Sequence, residues 1–178
     1  MIRLITFDVT GTLMRHVGSA GDQYARALEK HFDISCSSAS LEKSFRECYR
    51  EHSLKSPLFG RKHGLLLKQW WSSVYFGTVA GANIPIAKDC ITQTKHESGV
   101  TLWTTSKENC SQHILLENSF NDVFWNFEWE PVDHAKEMLQ FIESNWKCLP
   151  QKQVVVGVIS NNDGRVNQYL HKTGNELI

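Results

Sequence analysis

Two short apolar segments, each followed by polar turn residues, constrain the fold of this 178-residue chain more than any other feature. The first, IRLITF, precedes DVTGTL, and the second, VVVGVIS, precedes NNDG. Both are rich in β-branched residues and lack a helical period, which predicts strands that are buried on both faces. Such strands occur in parallel sheets covered by helices. We therefore predict an α/β protein in which strands at about residues 3–8 and 154–159 lie side by side and parallel.

The long interval between these strands is mostly helical in pattern. Apolar residues recur at helical spacing in GDQYARALEKHF, in SASLEKSFRECYREH and in GLLLKQWWSSVYFG. Large aromatic residues on a helical face belong more often to a core than to a ligand site, so we expect Trp70 or Trp71 to be buried. The stretch at about residues 96–125 is rich in serine, threonine and asparagine and predicts an irregular insert. A helical pattern returns in EPVDHAKEMLQFIESNW, where Pro131 suits the first turn.

Charge and cysteine usage argue against several classes of function. Lysine plus arginine balance aspartate plus glutamate, so the net charge gives no reason to expect nucleic acid or an acidic membrane surface as a partner. No apolar segment reaches the roughly 20 residues that span a bilayer. The five cysteines include no C-x-x-C pair, which argues against a zinc site and favours free thiols in a reducing compartment. We expect an intracellular protein, cytoplasmic or nuclear.

Asp8 and Ser160 each stand where a predicted strand ends. Ligands bind outside the carboxyl ends of strands in open parallel sheets, so we expect both residues at one site. A carboxylate held there can attack an electrophile and form a covalent intermediate. Main-chain N–H groups of the VTGT turn can bind phosphate oxygens, with Gly11 permitting close approach, and the SNN segment can hold the same group from the other side. Taken alone, Asp8 would be interpreted as a helix N-cap or a turn residue.

The segment ITFDVTGTL resembles the first motif of the haloacid dehalogenase (HAD) superfamily, and VVVGVISNND resembles its second motif. The helical interval between them is similar to the cap domain that subfamily I members insert after the first motif. Further segments, among them KQWWSSV and ISNNDGRV, resemble one group of HAD-like hydrolase domain-containing proteins. The resemblance implies a Rossmann-like α/β core with an incomplete parallel sheet at residues 1–14 and 130–178. It also implies an inserted α-helical cap at residues 15–129.

The same resemblance implies phosphatase-type phosphoryl transfer from a small phosphorylated substrate through an aspartyl-phosphate, with Mg²⁺ as cofactor. By motif match, Asp8 is the nucleophile and a magnesium ligand. Thr10 occupies the position of the general acid/base and faces the metal through its main-chain carbonyl. Gly11, Ser160 and Asn161 match the positions that bind the phosphoryl group.

Two departures from the motifs predict impaired turnover. Most phosphatases of the superfamily carry a second aspartate where this chain has Thr10, and a threonine hydroxyl cannot serve as an acid or base at neutral pH. P-type ATPases carry DKTGT and hold their phospho-aspartate for longer. No counterpart of the third-motif lysine or the fourth-motif acids follows Ser160, since Lys172 lies in the helix predicted directly after the second motif. The chain therefore resembles an N-terminal portion of the family's proteins.

Three hypotheses of function remain open from the sequence. The first is a HAD-like hydrolase that is impaired or inactive in this chain. The second is a non-catalytic HAD-fold remnant that binds phosphate or a protein partner. The third, a purely helical interaction domain, leaves both predicted strands unexplained.

Overall fold

The computed structural model describes residues 3–106, 112–146 and 154–158. The chain divides into two compact units. The helical unit runs from Gly18 to Phe127, and the strand unit comprises the residues before Gly18 and after Phe127. A hydrogen bond from the Val17 N–H to the Glu128 carbonyl (3.1 Å) joins the two chain segments of the strand unit at the point where the helical unit is inserted.

The described residues form six strands and six α-helices, with a short 3₁₀ turn at Arg61–His63. In chain order the elements are β1 (Arg3–Phe7), β2 (Met14–His16), α1 (Ala20–Phe32), α2 (Ser38–Lys55), α3 (Leu67–Gly81), α4 (Ala87–Cys90), β3 (Ile91–Lys95), β4 (Thr101–Thr105), α5 (His113–Asn126), β5 (Trp129–Pro131), α6 (Ala135–Trp146) and β6 (Val154–Val158).

The strand unit is built on the parallel pair of β1 and β6, which confirms the predicted α/β class. Arg3 lies opposite Val154 and Phe7 lies opposite Val158, so the two strands end at the same level. The two apolar runs that predicted strands therefore pair with each other, although most of the chain separates them in sequence. Their carboxyl ends meet at one edge, where a ligand site is expected in such sheets.

A second strand pair of the strand unit corrects the interpretation of Pro131. This residue does not lie in the first turn of a helix: it ends β5, whose partner is β2, and it pairs with Met14. Proline fits the end of a short strand because its missing N–H is not needed there. Helix α6 begins only at Ala135, after His134 has adopted a left-handed backbone (φ 65°).

The helical unit is held together by helices that pack through the apolar faces seen in the sequence. Helix α1 begins at a capping box in which Ser19 and Asp22 each accept a hydrogen bond from the other's main-chain N–H. Trp70 is only 1% exposed, which confirms that a tryptophan of this pair belongs to the core. The main cluster of buried residues draws on α1, α2, α3 and α5 and contains Tyr24, Leu28, Leu41, Tyr75, Phe76, Val79, Leu116, Phe120 and Phe124 among others.

The prediction of an irregular insert at about residues 96–125 is wrong. Strands β3 and β4 form an antiparallel hairpin whose turn contains Gly99 in a left-handed backbone (φ 83°), and α5 follows. β-Branched residues favour the strands, and the polar residues that suggested a loop lie on the hairpin's exposed positions. In α5, Leu116, Phe120 and Phe124 recur at helical spacing and are buried. Their packing outweighs the polar composition around them.

The cysteines also differ from the expectation of free thiols throughout. Cys90 is disulfide-bonded, whereas Cys36 and Cys48 are free. Sequence spacing does not reveal which cysteines approach each other in space, and that distance decides whether a disulfide can form. Within the described ranges, no helix combines the length and the apolar character needed to cross a bilayer.

Candidate active site

Asp8 is the first residue after β1, and it is exposed at the carboxyl end of the parallel strand pair. One of its carboxylate oxygens, Oδ1, accepts a hydrogen bond from the N–H of Val9 (2.9 Å). This bond fixes one side of the carboxylate against the start of the following turn. Because Phe7 lies opposite Val158, a group bound beside Asp8 also lies near the end of β6.

The turn after Asp8 is closed by hydrogen bonds around a single acceptor. The carbonyl oxygen of Val9 accepts from the N–H groups of Thr12 (3.3 Å), Leu13 (2.9 Å) and Met14 (2.9 Å). The N–H of Gly11 donates to the Met14 carbonyl (2.7 Å). Most of the turn's N–H groups are thus engaged within the turn itself. To bind phosphate oxygens through them, the turn would have to open some of these bonds.

Apolar side chains hold the turn in place. Val9, Leu13 and Met14 are buried together with Ala135 of α6, and each is at most 3% exposed. This leaves Asp8, Thr10, Gly11 and Thr12 at the surface. The buried side chains thus fix the turn, and the polar groups of DVTGTL face solvent. The sequence analysis did not assign Val9 and Leu13 a role, although their apolar character within a polar motif was a visible signal.

Gly11 adopts a left-handed backbone (φ 78°), which glycine reaches without steric cost. A Cβ atom built at this position would meet no atom within 4 Å. The glycine is therefore required by the backbone conformation and leaves open space above the turn. That space is where a bound anion could approach the main chain.

Asp8, Thr10 and Gly11 lie together in one exposed turn, and the roles that the motif gives them remain predictions. The other predicted site residues, Ser160 and Asn161, lie outside the described residues. Their proximity to Asp8 therefore remains a prediction. The last described residue of β6, Val158, is two positions before Ser160 and is paired with the residue that precedes Asp8.

In the described part of the strand unit, Arg15 is the first cation after the turn. It already forms ion pairs with two carboxylates. Its guanidinium donates to Glu130 (2.8 Å) and to Asp133 (3.3 Å). These carboxylates raise the pKa of Arg15, with the hydrogen bond to Glu130 as the largest cause. Arg15 is thus held across the β2–β5 pair, where it contributes to strand pairing. The sequence analysis missed this ion pair because the two acids lie far downstream.

The described residues offer limited means to hold a metal ion. Among them, no group of three or more His, Cys, Asp or Glu side chains is arranged to bind one. Asp8 supplies one exposed carboxylate, and Thr10 supplies a main-chain carbonyl in the same turn. Both are hard oxygen donors of the kind that Mg²⁺ prefers, and Mg²⁺ often retains waters and takes further ligands from a substrate phosphate. The donors present fit magnesium in type and fall short of a complete protein site.

Comparison with known proteins identifies relatives across nearly the whole chain. No family model matches. The chain is 40% identical over 167 residues to haloacid dehalogenase-like hydrolase domain-containing protein 3 of Xenopus tropicalis, covering 94% of this chain and 72% of that protein. It is 28% identical over 173 residues to the Homo sapiens protein of the same name, covering 97% of this chain. It is 30% identical over 173 residues to the rhythmically expressed gene 2 protein of Drosophila melanogaster, covering 96% of this chain.

The chain spans 57% of the length of the human and the Drosophila relatives. The similarity includes both units of the fold, since it extends over 97% of the residues present here. The structure agrees with this similarity in sequence, because β1 and β6 pair in parallel and an aspartate directly follows β1. The chain belongs to the haloacid dehalogenase-like hydrolases of the HAD superfamily.

Proposed function

We propose that this chain accepts a phosphoryl group from a small phosphomonoester on the carboxylate of Asp8 and releases it slowly. One observation carries the proposal: Asp8 leaves β1 at the level where its parallel partner β6 ends, exposed above a turn that apolar residues hold in place. A carboxylate in that position can reach a bound electrophile without any rearrangement of the strands.

The chemistry has two steps. In the first, an oxygen of the Asp8 carboxylate attacks phosphorus, the bond from phosphorus to the leaving oxygen breaks, and that oxygen takes a proton from water. In the second, water attacks phosphorus and gives up a proton to solvent, where it neutralises the hydroxide left by the first step; the acyl-phosphate bond breaks, and inorganic phosphate and the Asp8 carboxylate are released. Mg²⁺, held by the Asp8 carboxylate and the Thr10 carbonyl, would neutralise charge on the transferring group.

Thr10 makes both steps slow because it supplies neither a proton to the leaving oxygen nor a base to the attacking water. A positioned acid/base is typically worth about 10²–10⁴-fold in rate. Water must take over both tasks here. We therefore propose that the phosphorylated form of Asp8 outlives that of a typical phosphatase. We also propose that the helical unit serves as the cap that selects the substrate.

Direct detection of the phosphorylated chain tests the proposal. The protein is incubated with acetyl phosphate and Mg²⁺, quenched in acid and weighed by mass spectrometry. We expect a single phosphoryl adduct that hydroxylamine removes at neutral pH, because acyl phosphates react with it and phosphate esters of serine and threonine do not. Asp8→Asn, which keeps the shape and removes the nucleophile, should form no adduct.

The matched control is Asp33→Asn. Asp33 is exposed at the carboxyl end of α1 in a left-handed backbone (φ 56°), which asparagine tolerates well. This variant should be phosphorylated like the unchanged protein. An adduct that persists in Asp8→Asn, or one that resists hydroxylamine, would show that another residue is the acceptor. Rapid multiple turnover of phosphomonoesters would contradict slow release.

A non-catalytic phosphate-binding or protein-binding role is the second candidate. What supports it over phosphoryl transfer is that the turn's own hydrogen bonds occupy the N–H groups of Gly11, Thr12, Leu13 and Met14, so these groups are withheld from a phosphoryl group in transfer. In this case inorganic phosphate should bind to Asp8→Asn more tightly than to the unchanged protein, because a negative charge has been removed. Calorimetric titration with phosphate, combined with the absence of an adduct in the unchanged protein, would support this role over the first.

A further inference from the structure

The connection between α2 and α3, taken with the last two residues of α2 and the first two of α3 (residues 54–68), has an unusual composition. Its sequence, LKSPLFGRKHGLLLK, contains four lysine or arginine residues and no acidic residue, although the whole chain has zero net charge. The same segment contains five leucines. We call residues 54–68 the basic loop. Its positive charge is hidden in the composition of the whole chain because acidic residues elsewhere balance it.

Most of this charge is not neutralised by any residue in the described part of the chain. Lys55 pairs with Glu51 one helical turn earlier. Arg61, Lys62 and Lys68 are exposed, and none of them forms an ion pair with any residue in the described part of the chain. The basic loop therefore presents three available cations at one end of the α2–α3 helix pair. Such a cluster attracts anionic surfaces over about one Debye length.

Three leucines of the basic loop extend into solvent. Leu54 is 77% exposed, Leu58 63% and Leu66 68%. Side chains in the wall of a groove are shielded by their neighbours and do not reach such values. These three leucines therefore extend largely into solvent. Several large apolar side chains exposed within one short, solvent-facing segment point to a place of interaction.

The exposure of the leucines is maintained by a well-defined loop. The main chain is closed by hydrogen bonds, among them those from Gly60 to Ser56 (3.1 Å) and from Leu65 to Gly60 (3.2 Å). Trp70 donates its indole N–H to the Ser56 carbonyl (3.1 Å). Phe59 stacks on Trp71 with ring centroids 6.0 Å apart. The base of the loop is thus anchored in the aromatic core of the helical unit.

Leu58 and Phe59 both have a left-handed backbone, with φ of 55° and 54°. This conformation is costly for residues other than glycine and asparagine, and the surrounding contacts must maintain it. In this conformation the Phe59 ring contacts Trp70 and Trp71, whereas most of the Leu58 side chain is exposed to solvent. The strain thus holds an apolar side chain outward, with most of its surface in solvent.

We propose that the basic loop docks on the surface of a bilayer that contains anionic phospholipids. Arg61, Lys62 and Lys68 contact the phosphate groups, while Leu54, Leu58 and Leu66 enter the interface between headgroups and acyl chains. A bilayer accepts apolar side chains that extend into solvent, whereas an acidic peptide would need a groove to cover the leucines. The zero net charge of the chain gave no reason to expect a membrane partner, and this proposal departs from that expectation because it rests on the local distribution of charge.

Vesicle sedimentation tests the proposal. The protein is mixed with vesicles of phosphatidylcholine alone, or of phosphatidylcholine with about one third phosphatidylserine, whose negative surface attracts basic segments. We expect sedimentation with the anionic vesicles only, and release at high salt because screening weakens the cation contacts. The absence of binding to anionic vesicles, or equal binding to both kinds, overturns the proposal.

Two variants assign the binding to the basic loop. Leu58→Asn suits the left-handed backbone, so it should fold at least as stably while its membrane partition falls about tenfold from the loss of one buried leucine. Replacing Arg61 and Lys62 by glutamine should lower the partition about fivefold for each cation. Lys43→Gln, an exposed cation elsewhere on α2, is the control and should bind like the unchanged protein. Binding that persists in both loop variants would assign it to another surface.

Discussion

At the scale of single residues, the proposed function makes Thr10 the residue that sets how long a phosphoryl group would remain on Asp8. Thr10 is exposed within the turn, so an aspartate there would stay in solvent and would not need a buried partner. We predict that Thr10→Asp speeds decay of the phosphorylated chain by about 10²-fold or more, because it restores a base for the attacking water. Single-turnover decay, followed by mass spectrometry after removal of the donor, measures this rate.

Thr10→Asn is the matched control for that experiment. Asparagine has the size of aspartate and offers no acid or base, so the decay rate should stay near that of the unchanged chain. An equal acceleration by asparagine and aspartate would mean that position 10 acts through the shape of the turn, and the acid/base argument would fail.

Gly11 supports a second prediction at this scale, on stability. Its φ of 78° is unfavourable for any residue with a Cβ atom, and a Cβ there would meet nothing within 4 Å. We expect Gly11→Ala to lower the free energy of unfolding by about 1–2 kcal/mol through backbone strain alone. Gly64 offers the same test in the helical unit, since it has φ of 70° and equally open space. Denaturant titrations of the two variants should give similar losses.

At the scale of elements, a chain of buried hydrogen bonds ties α2, α3 and β4 together. The Nδ1 atom of His52 lies 3.0 Å from the Cys48 carbonyl, and its Nε2 atom lies 2.6 Å from the Ser73 hydroxyl. Because a carbonyl can only accept, Nδ1 carries the proton and Nε2 accepts from Ser73. The Ser73 hydroxyl oxygen in turn accepts a hydrogen bond from the main-chain N–H of Trp103 (2.8 Å). The neutral imidazole satisfies every partner in this network.

Protonation of His52 should therefore destabilise the helical unit. Burial lowers the pKa of His52 below its ordinary value of 6.5. Between the lowered folded-state pKa and 6.5, the unfolded chain binds a proton that the folded chain does not, so stability falls as the pH drops below 6.5 and is fully present above it. We predict that the free energy of unfolding decreases from pH 7 to pH 5. In His52→Gln the free energy of unfolding should be lower overall, and it should lack the part of its pH dependence that comes from His52.

The comparison of variant and unchanged protein isolates this residue. Asp22 and Asp122 also have lowered pKa values, from their hydrogen bonds to Ser19 and Lys30, but they affect stability only as the pH falls below their ordinary value of 3.8. Their contribution lies outside the tested range. An identical slope in both proteins between pH 7 and pH 5 would show that His52 stays neutral in the unfolded chain as well, or is accessible in the folded one.

The elements that the sequence predicted are those in which local pattern and packing agree. The strands β1 and β6 and the helices α1, α2, α3 and α6 follow from apolar spacing alone, and so does burial of Trp70. The β3–β4 hairpin and α5 were not predicted because the polar composition of this stretch suggested a loop. The spacing of Leu116, Phe120 and Phe124 is nevertheless that of a helix. Strands β2 and β5 could not be predicted, since three-residue strands exist only through their pairing.

For the candidate site, the motif named Asp8, Thr10 and Gly11, which lie in one exposed turn, and their roles stay predictions. The internal hydrogen bonds of the turn were not predictable. They depend on the carbonyl of Val9 facing three N–H groups at once, which is a property of the backbone path and not of any residue type.

At the scale of the whole molecule, the two units have separate hydrophobic clusters. Leu13 packs with Val9, Met14 and Ala135 in the strand unit, and Leu116 lies in the main cluster of the helical unit. Separate clusters allow separate unfolding transitions, because the loss of one core does not by itself expose the other. The helical unit has the larger set of buried aromatic and aliphatic residues.

We predict two transitions in calorimetry, each sensitive to its own core. Leu13→Ala and Leu116→Ala both remove a side chain that is at most 3% exposed, which typically costs about 2–5 kcal/mol. Leu13→Ala should lower the midpoint of one transition only, and Leu116→Ala that of the other. A single transition that both substitutions shift equally would mean that the units unfold cooperatively as one body.

The insertion of the helical unit within the strand unit sets an order of folding. In a fully unfolded chain, pairing of β1 with β6 must close a loop that contains most of the residues. The hydrogen bond between Val17 and Glu128 shows that the chain enters and leaves the helical unit side by side, so prior folding of that unit removes it from the loop. The entropic contribution to the free energy of closing the loop then falls by about 1 kcal/mol. The strand pair that carries Asp8 should thus form last, after the helices, and conservative changes in β1 should alter the unfolding rate far more than the folding rate.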